Sequence, residues 1–232
     1  MTDRHDLLIE QLASPDPATR RYAAEDLGDL HDPQAVLALV EAVRDPEVAV
    51  REAAAEALVV IGGQSVCEHV APLLETEDAG LRNYAIEILE RVGPESIDVL
   101  VAACNSASPD VRKFALDILG KVARGFAGKC LERVAALLGD ANPNVAGSAA
   151  EALGHMGDSR ATPYLAKHLG GPPWMQVCVF SALSQIGGEA ALKTLRAADV
   201  SQMSPFTKHF YETALKVAMV SVRRPGQPYA DE

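Results

Sequence analysis

One short pattern recurs seven times along the chain, at a spacing of 30 to 34 residues. In the first occurrence an anchor residue, Arg20, is followed three positions later by Ala23 and seven positions later by Leu27. The other six anchors are Arg51, Arg82, Arg112, Ala146, Gln176 and Lys208. A period of this length predicts a solenoid, in which each unit buries its apolar face only against its neighbours.

Each unit is predicted to hold two helices. The first begins where a capping residue precedes proline, because the cap accepts a free N–H and proline has none to donate. Such pairs are Asp16-Pro17, Ser108-Pro109 and Asn142-Pro143, with Asp45-Pro46 doing the same two residues earlier. The first helix ends eleven residues after the anchor, at Gly62, Gly93, Gly157 and Gly187. A second apolar stretch with helical spacing, about 10–14 residues long, follows in each unit.

The predicted fold is therefore all-α, a right-handed α-α solenoid of about seven two-helix repeats. We expect a single domain over residues 1–222, with a helix at 3–13 covering its N-terminal end and a helix at 204–222 covering its C-terminal end. The remaining residues, 223–232, are rich in proline and polar residues and are predicted to be disordered.

Two segments carry a family resemblance. Asp-Pro-Glu-Val-Ala-Val-Arg-Glu-Ala-Ala-Ala-Glu-Ala-Leu at 45–58 and Ser-Pro-Asp-Val-Arg-Lys-Phe-Ala-Leu-Asp-Ile-Leu-Gly at 108–120 resemble HEAT repeats. More narrowly, they are similar to the short HEAT-like repeats of phycobilisome (bilin) lyases. The resemblance covers nearly the whole chain and implies a HEAT-like superhelix. It leaves the function open, because such repeats occur in unrelated adaptors and regulators.

Charge and composition exclude several kinds of partner. The net charge is −11; residues 1–100 hold 7 Lys and Arg against 21 Asp and Glu, and residues 101–232 hold 14 against 11. Phosphates would be repelled along half of such a chain, so nucleic acid is not expected to bind. No apolar run is long enough to span a membrane, and the polar N-terminus is not a signal peptide. Four scattered cysteines predict small buried hydrophobes in a reducing compartment, hence a cytoplasmic protein.

No motif for catalysis or cofactor binding is present. A HEAT-repeat hydroxylase family binds di-iron through His-Glu dipeptides, whereas this chain has only the reverse order, Glu68-His69. It also lacks a Gly-x-Ser-x-Gly nucleophile turn and a phosphate-binding loop with Walker spacing. We therefore expect no enzyme activity, no metal, no cofactor and no small-molecule ligand.

The anchor arginines are predicted to be structural. Each of the first three has an acid four residues earlier, which favours a helical ion pair. Stacked repeats would also form an arginine ladder able to reach acids or carbonyl groups on the next unit. The ladder consists of Arg20, Arg51, Arg82 and Arg112.

Aromatic residues supply one candidate binding surface. Rings recur two positions after the anchor and are therefore predicted to be packed, at Tyr22, Tyr84, Phe114 and Phe210. Trp174 and Phe206 instead lie two positions before their anchors, where earlier repeats have small or polar residues. In the first turn of a helix such rings would form an exposed patch for a partner. The alternative is that they close the C-terminal end of the core.

Charged residues on the second helices supply another candidate binding surface. If these helices line a groove, it grades from acidic to basic and would suit an elongated partner of opposite polarity. The residues are Glu68, Glu75, Asp98, Arg133, Lys167, His168, Lys193 and Arg196. The predicted function is a scaffold that binds another protein. The alternatives are a bilin-lyase-type factor that attaches or removes a chromophore, and a regulatory subunit of a signalling or metabolic enzyme.

Overall fold

The computed structural model describes residues 4–223, and within that range the secondary structure is helical throughout, without a strand. The all-α prediction is therefore confirmed. The chain divides into two compact units, residues 1–103 and 104–232. Most of the predicted tail, from residue 224 onward, lies outside the described residues, and its disorder stays a prediction.

The first unit contains seven α-helices in its described part. They are α1 (Arg4–Gln11), α2 (Pro17–Asp29), α3 (Val36–Ala42), α4 (Val48–Ile61), α5 (Gly63–Val70), α6 (Ala79–Val92) and α7 (Ile97–Ala103). The long helices α2, α4 and α6 pack side by side, and the short helices α3 and α5 pack against them. Helix α7 contacts the 3-10 segments at Ala71–Glu75 and Gly93–Ser96. Helix α1 packs on α2, where the sequence predicts an N-terminal cap.

The second unit repeats this arrangement. Its helices are α8 (Pro109–Val122), α9 (Leu131–Ala136), α10 (Pro143–Met156), α11 (Thr162–Ala166), α12 (Pro173–Ile186), α13 (Gly188–Arg196) and α14 (Pro205–Arg223). The long helices α8, α10, α12 and α14 pack in sequence order, with the short helices behind them. All seven anchors lie on long helices, as the repeat pattern predicts.

Local capping explains several ends of the long helices. The Asp16 carboxylate accepts hydrogen bonds from the backbone N–H groups of Ala18 and Thr19 at the start of α2. Gly62 ends α4 with a φ of 60°, a backbone conformation that glycine adopts at little cost. The prediction for Asp45 is wrong: α4 begins at Val48 with Glu47 as its N-cap. Asp45 is instead held in the preceding loop.

The second helices are shorter than the sequence predicts, and in several repeats part of the stretch forms a 3-10 turn. Helix α5 passes into a 3-10 segment at Ala71–Glu75, and α9 passes into one at Leu137–Gly139. Pro72 accounts for the first change, since it lacks the N–H that an α-helix would need at that position.

Small residues let neighbouring long helices approach closely. The leucine seven positions after the anchor is fully buried in each of the first six repeats, from Leu27 to Leu183. One position further on, Gly154 of α10 lies so close to α12 that an added Cβ would be 2.9 Å from the Ala182 Cα atom. Gly28 meets Ala57 of the next helix in the same way. These contacts require glycine for packing rather than for backbone conformation.

Candidate partner-binding surface

The anchor arginines join consecutive segments of the stack. In the first unit, Arg20 donates from Nε and Nη2 to both carboxylate oxygens of Asp45, at 2.7 and 2.8 Å, and from Nη1 to the Ser14 carbonyl at 2.9 Å. Arg51 in turn donates to the carbonyl oxygens of Asp45 and Pro46. These hydrogen bonds tie each long helix to the loop before it and, through Asp45, to the next repeat.

The second unit repeats this contact. Arg112 donates to both carboxylate oxygens of Asp140, at 2.8 and 2.9 Å, and to the Ser106 carbonyl. The pair is largely buried, with 15% of the Arg112 side chain and 8% of the Asp140 side chain exposed. The Arg112 guanidinium therefore lowers the pKa of Asp140, through their hydrogen bonds above all. In the first unit, Arg82 likewise donates a hydrogen bond to the carbonyl oxygen of Thr76.

The acids four residues before the arginines do not form the helical ion pairs that the sequence suggests. Asp16 and Asp78 accept hydrogen bonds from backbone N–H groups as helix caps. The carboxylates that bind Arg20 and Arg112 lie 25 and 28 residues further along the chain instead. For Arg20, an ion pair between repeats thus replaces the expected helical i,i+4 pair.

The residue five positions after the anchor changes in character towards the C-terminus. An acid stands five positions after the anchor in each of the first five repeats, and all of these side chains are exposed or half-exposed: Glu25, Glu56, Glu87, Asp117 and Glu151. The last two repeats have Ser181 and Thr213 at this position. Comparing the repeats position by position would have detected this loss of charge.

Three aromatic rings on α12 and α14 are exposed at the surface of the second unit. Trp174 at the start of α12 is 42% exposed, and Phe206 at the start of α14 is 67% exposed. Phe210, one turn further along α14, is 36% exposed, and its ring centroid lies 5.0 Å from that of Phe206. We call Trp174, Phe206 and Phe210 the aromatic patch.

The exposure of Phe210 corrects one expectation. Recurrence two positions after the anchor predicts packed rings, but Tyr22 at this position is 57% exposed and Phe210 is also at the surface. Tyr84 and Phe114 are half-buried. The position points to the edge of the stack, so its burial depends on the neighbouring side chains rather than on the repeat itself.

The short helices of the second unit carry exposed cations. Lys167 follows α11, while Lys193 and Arg196 lie on α13, and all three are exposed; His168 is half-buried. A groove of about 920 Å³ between α11 and α13 has Lys193 in its wall and a mainly small and apolar lining. Arg133 differs, because its Nη2 donates to the Cys104 carbonyl at 2.6 Å.

The acidic residues of the predicted groove lie in the first unit. Glu68, Glu75 and Asp98 are exposed. Glu68 accepts a hydrogen bond from the Gln64 side chain at 2.7 Å. A continuous groove that runs from these acids to the basic residues stays a prediction.

The thiols are poorly suited to nucleophilic chemistry. Burial raises the pKa of Cys67 and Cys130 to about 11 and that of Cys104 to about 12, which leaves almost no thiolate at neutral pH. Cys178 is half-buried rather than buried, and desolvation raises its pKa as well. In residues 4–223, no three His, Cys, Asp or Glu side chains are grouped to hold a metal ion.

None of the helices described between residues 4 and 223 combines the length and the apolar character needed to cross a bilayer.

Comparison with protein families identifies the repeat. The sequence profile of HEAT repeats matches residues 6–90, 97–178 and 131–202. The chain belongs to the HEAT-repeat family. Curated protein sequences, in contrast, include no match to this chain.

Several solved structures are similar to this chain. The karyopherin Kap121p bound to Nup53p matches 92% of this chain with a TM-score of 0.61 and 16% identity, and the match spans 29% of Kap121p. The CpcE–CpcF complex of phycocyanin lyase from Nostoc matches 65% of this chain and 99% of its own, with a TM-score of 0.48 and 21% identity. Human deoxyhypusine hydroxylase matches 93% of this chain and 84% of its own, at 0.47 and 20%. At 16% identity, the Kap121p match shows a likeness of fold alone.

Proposed function

We propose that this HEAT-repeat protein is a non-catalytic scaffold that binds another protein through its second unit. The aromatic patch of Trp174, Phe206 and Phe210 is the observation that carries the proposal. Exposed aromatic rings are the residues that most often anchor protein interfaces, and water contact makes them unfavourable on a surface without a partner. The buried thiols support a scaffold rather than an enzyme, and they suit a reducing compartment such as the cytoplasm.

The short-helix side of the second unit is the second contact region in this proposal. Lys193 lines the groove between α11 and α13 together with Asp199. Lys167, His168 and Arg196 are next in sequence to residues that line it. Exposed cations of this kind accelerate the encounter with an acidic surface and select for it. In the same way, Glu68, Glu75 and Asp98 of the first unit would favour a basic segment of the partner.

Comparative affinity capture tests the proposal. The tagged full-length chain, a Trp174→Ser/Phe206→Ser variant and a Tyr22→Ser control are exposed to native lysate, and the bound proteins are quantified by mass spectrometry. The control removes an equally exposed ring from the first unit. We expect at least one protein to be retained by the wild type and the control but reduced tenfold or more with the patch variant. Equal recovery of every protein on all three chains would contradict the proposal.

A further inference from the structure

Arg20 and Arg112 show how an anchor arginine of this fold binds a carboxylate. In each of them Nη1 donates to two carbonyl oxygens of the loop before its helix. These hydrogen bonds orient the guanidinium so that its Nε–Nη2 edge meets both oxygens of Asp45 or Asp140, at 2.7 to 2.9 Å. Two parallel N–H groups that face two oxygens are the arrangement in which arginine binds carboxylates most strongly.

Arg51 is oriented in the same way but differs at its Nε–Nη2 edge. Its Nη1 donates to the carbonyl oxygens of Asp45 and Pro46, at 2.7 and 2.9 Å. Among residues 4–223, neither Nε nor Nη2 of Arg51 has a hydrogen bond or an ion pair. The Asp45 carboxylate is engaged by Arg20, whose hydrogen bonds lower its pKa most, while the charge of Arg51 lowers that pKa further.

Thr76 stands at the place where the other two arginines meet an aspartate. Asp45, Thr76 and Asp140 all lie six positions before the next anchor, and each side chain accepts a hydrogen bond from the backbone N–H two residues further on. The two aspartates also bind the arginine of the preceding repeat, whereas threonine has no second oxygen to offer Arg51. The carboxylate-binding edge of Arg51 is therefore available to a group from another molecule.

Arg51 and Thr76 both line a groove of about 670 Å³ beside the first turns of α4 and α6. Val43 and Leu81 contribute apolar surface to its wall, and the half-buried ring of Tyr84 adds to it. Pockets of this volume hold ligands with many more atoms than one carboxyl group. A ligand that fills the groove therefore extends on either side of the group that Arg51 binds.

The charges in this groove limit what it can accept. Besides the anchor arginine, it is lined by Arg44, which is exposed and has only a long contact of 3.7 Å with Glu41, and by two aspartates. Asp78 accepts hydrogen bonds from two backbone N–H groups at the start of α6, and Asp45 is already paired. Both would still repel a run of acidic residues, as would the surplus of acids in the first hundred residues. The groove suits one carboxylate among uncharged neighbours.

We propose that the Nε–Nη2 edge of Arg51 binds the carboxylate of one aspartate or glutamate side chain of a partner protein, whose flanking residues lie in the groove. The partner would supply the group that Asp45 and Asp140 supply within the chain. A free small acid would satisfy the arginine but leave the rest of the groove empty, whereas a protein segment fills both. The site uses no residue of the aromatic patch, so it goes beyond the proposed function and is tested separately from it.

Nuclear magnetic resonance of the arginine side chains tests the site. In the nitrogen-15-labelled full-length protein, the Nε–H signal of Arg51 is identified by its loss in Arg51→Lys. The signal is followed while the acetylated and amidated peptide Leu-Asp-Leu, or its Leu-Asn-Leu counterpart, is added. We expect the aspartate peptide to shift this signal and to bind at least tenfold more tightly, because only its carboxylate forms charged hydrogen bonds. Equal affinities, or an unshifted Arg51 signal, would overturn the proposal.

Thr76→Asp separates loss of the site from loss of the fold. Its carboxylate would pair with Arg51 as Asp45 pairs with Arg20, so it should raise the melting temperature by about 2–4 °C and abolish binding of the aspartate peptide. Thr76→Ser is the matched control, since Ser14 has the same place in the first repeat, and it should bind the peptide as the wild type does. Undiminished binding by Thr76→Asp, or a lowered melting temperature, would overturn the proposal.

Acetate distinguishes a protein segment from a free small acid. Sodium acetate is added to the wild type, with sodium chloride at the same ionic strength as the reference. We expect the aspartate peptide to bind at least tenfold more tightly than acetate, because its flanking residues bury apolar surface in the groove. Equal affinities would overturn the assignment to a partner protein.

Discussion

Replacing Gly154 with alanine has two opposing effects on the stability of the protein. In the interior of a helix, alanine is more stable than glycine by about 1 kcal/mol. Here the new Cβ would lie 2.9 Å from the Cα and 3.3 Å from the Cβ of Ala182, so two backbones must separate. Overpacking of this kind costs about 1–3 kcal/mol. Because the obstacle is a backbone atom, we place the cost towards the upper end of that range and expect net destabilisation by about 1–2 kcal/mol.

Gly147 on the same helix is the matched control. A Cβ there would have the Cys178 sulfur 3.7 Å away as its nearest neighbour, an ordinary van der Waals contact. Gly147→Ala should therefore stabilise the protein by about 0.5–1 kcal/mol. Urea unfolding followed by the fluorescence of Trp174, the single tryptophan, reports on the second unit. If Gly154→Ala were as stable as Gly147→Ala, the close stacking of α10 on α12 would be refuted.

Three further outcomes follow from the structure. Arg112→Met should destabilise the protein by about 3 kcal/mol in urea unfolding, since it leaves the Asp140 carboxylate buried without its partner; a loss below about 0.5 kcal/mol would show that the pair is not structural. Because Arg112 lowers the pKa of Asp140 below its ordinary 3.8, the carboxylate stabilises the fold above about pH 4 and loses this effect as pH falls through the folded pKa. Unfolding measured from pH 6 to 2.5 should therefore be less pH-dependent in Asp140→Asn, and parallel profiles would contradict the assignment. In native protein at pH 8, a thiol reagent should modify Cys178 first, and mass spectrometry should find the other three cysteines protected until unfolding; early labelling of Cys104 would contradict its burial.

The features that depend on local sequence could be predicted. The repeat period, the long helices and the burial of leucines such as Leu27 follow from spacing within one helix, which the sequence displays directly. The glycine at the end of α4 also follows, because a left-handed terminus favours glycine wherever the rest of the chain lies.

Features that depend on contacts between repeats could not be predicted in the same way. The acid nearest to Arg20 in sequence is a helix cap, while its partner Asp45 is brought to it by the stacking of two repeats. The surface position of Phe210 is also set by what neighbours α14, rather than by its place in the repeat. The loss of acidic residues five positions after the anchor was detectable, since Ser181 and Thr213 break a row of five acids.

Photo-crosslinking tests the binding surface most directly. A photoreactive phenylalanine analogue is placed at position 206 of the full-length chain and, as a control, at Tyr22, and native lysate is irradiated with each. The scaffold account predicts a discrete protein adduct from position 206 that is absent from position 22. Irradiation that produces the same adducts from both positions, or none from position 206, would contradict it.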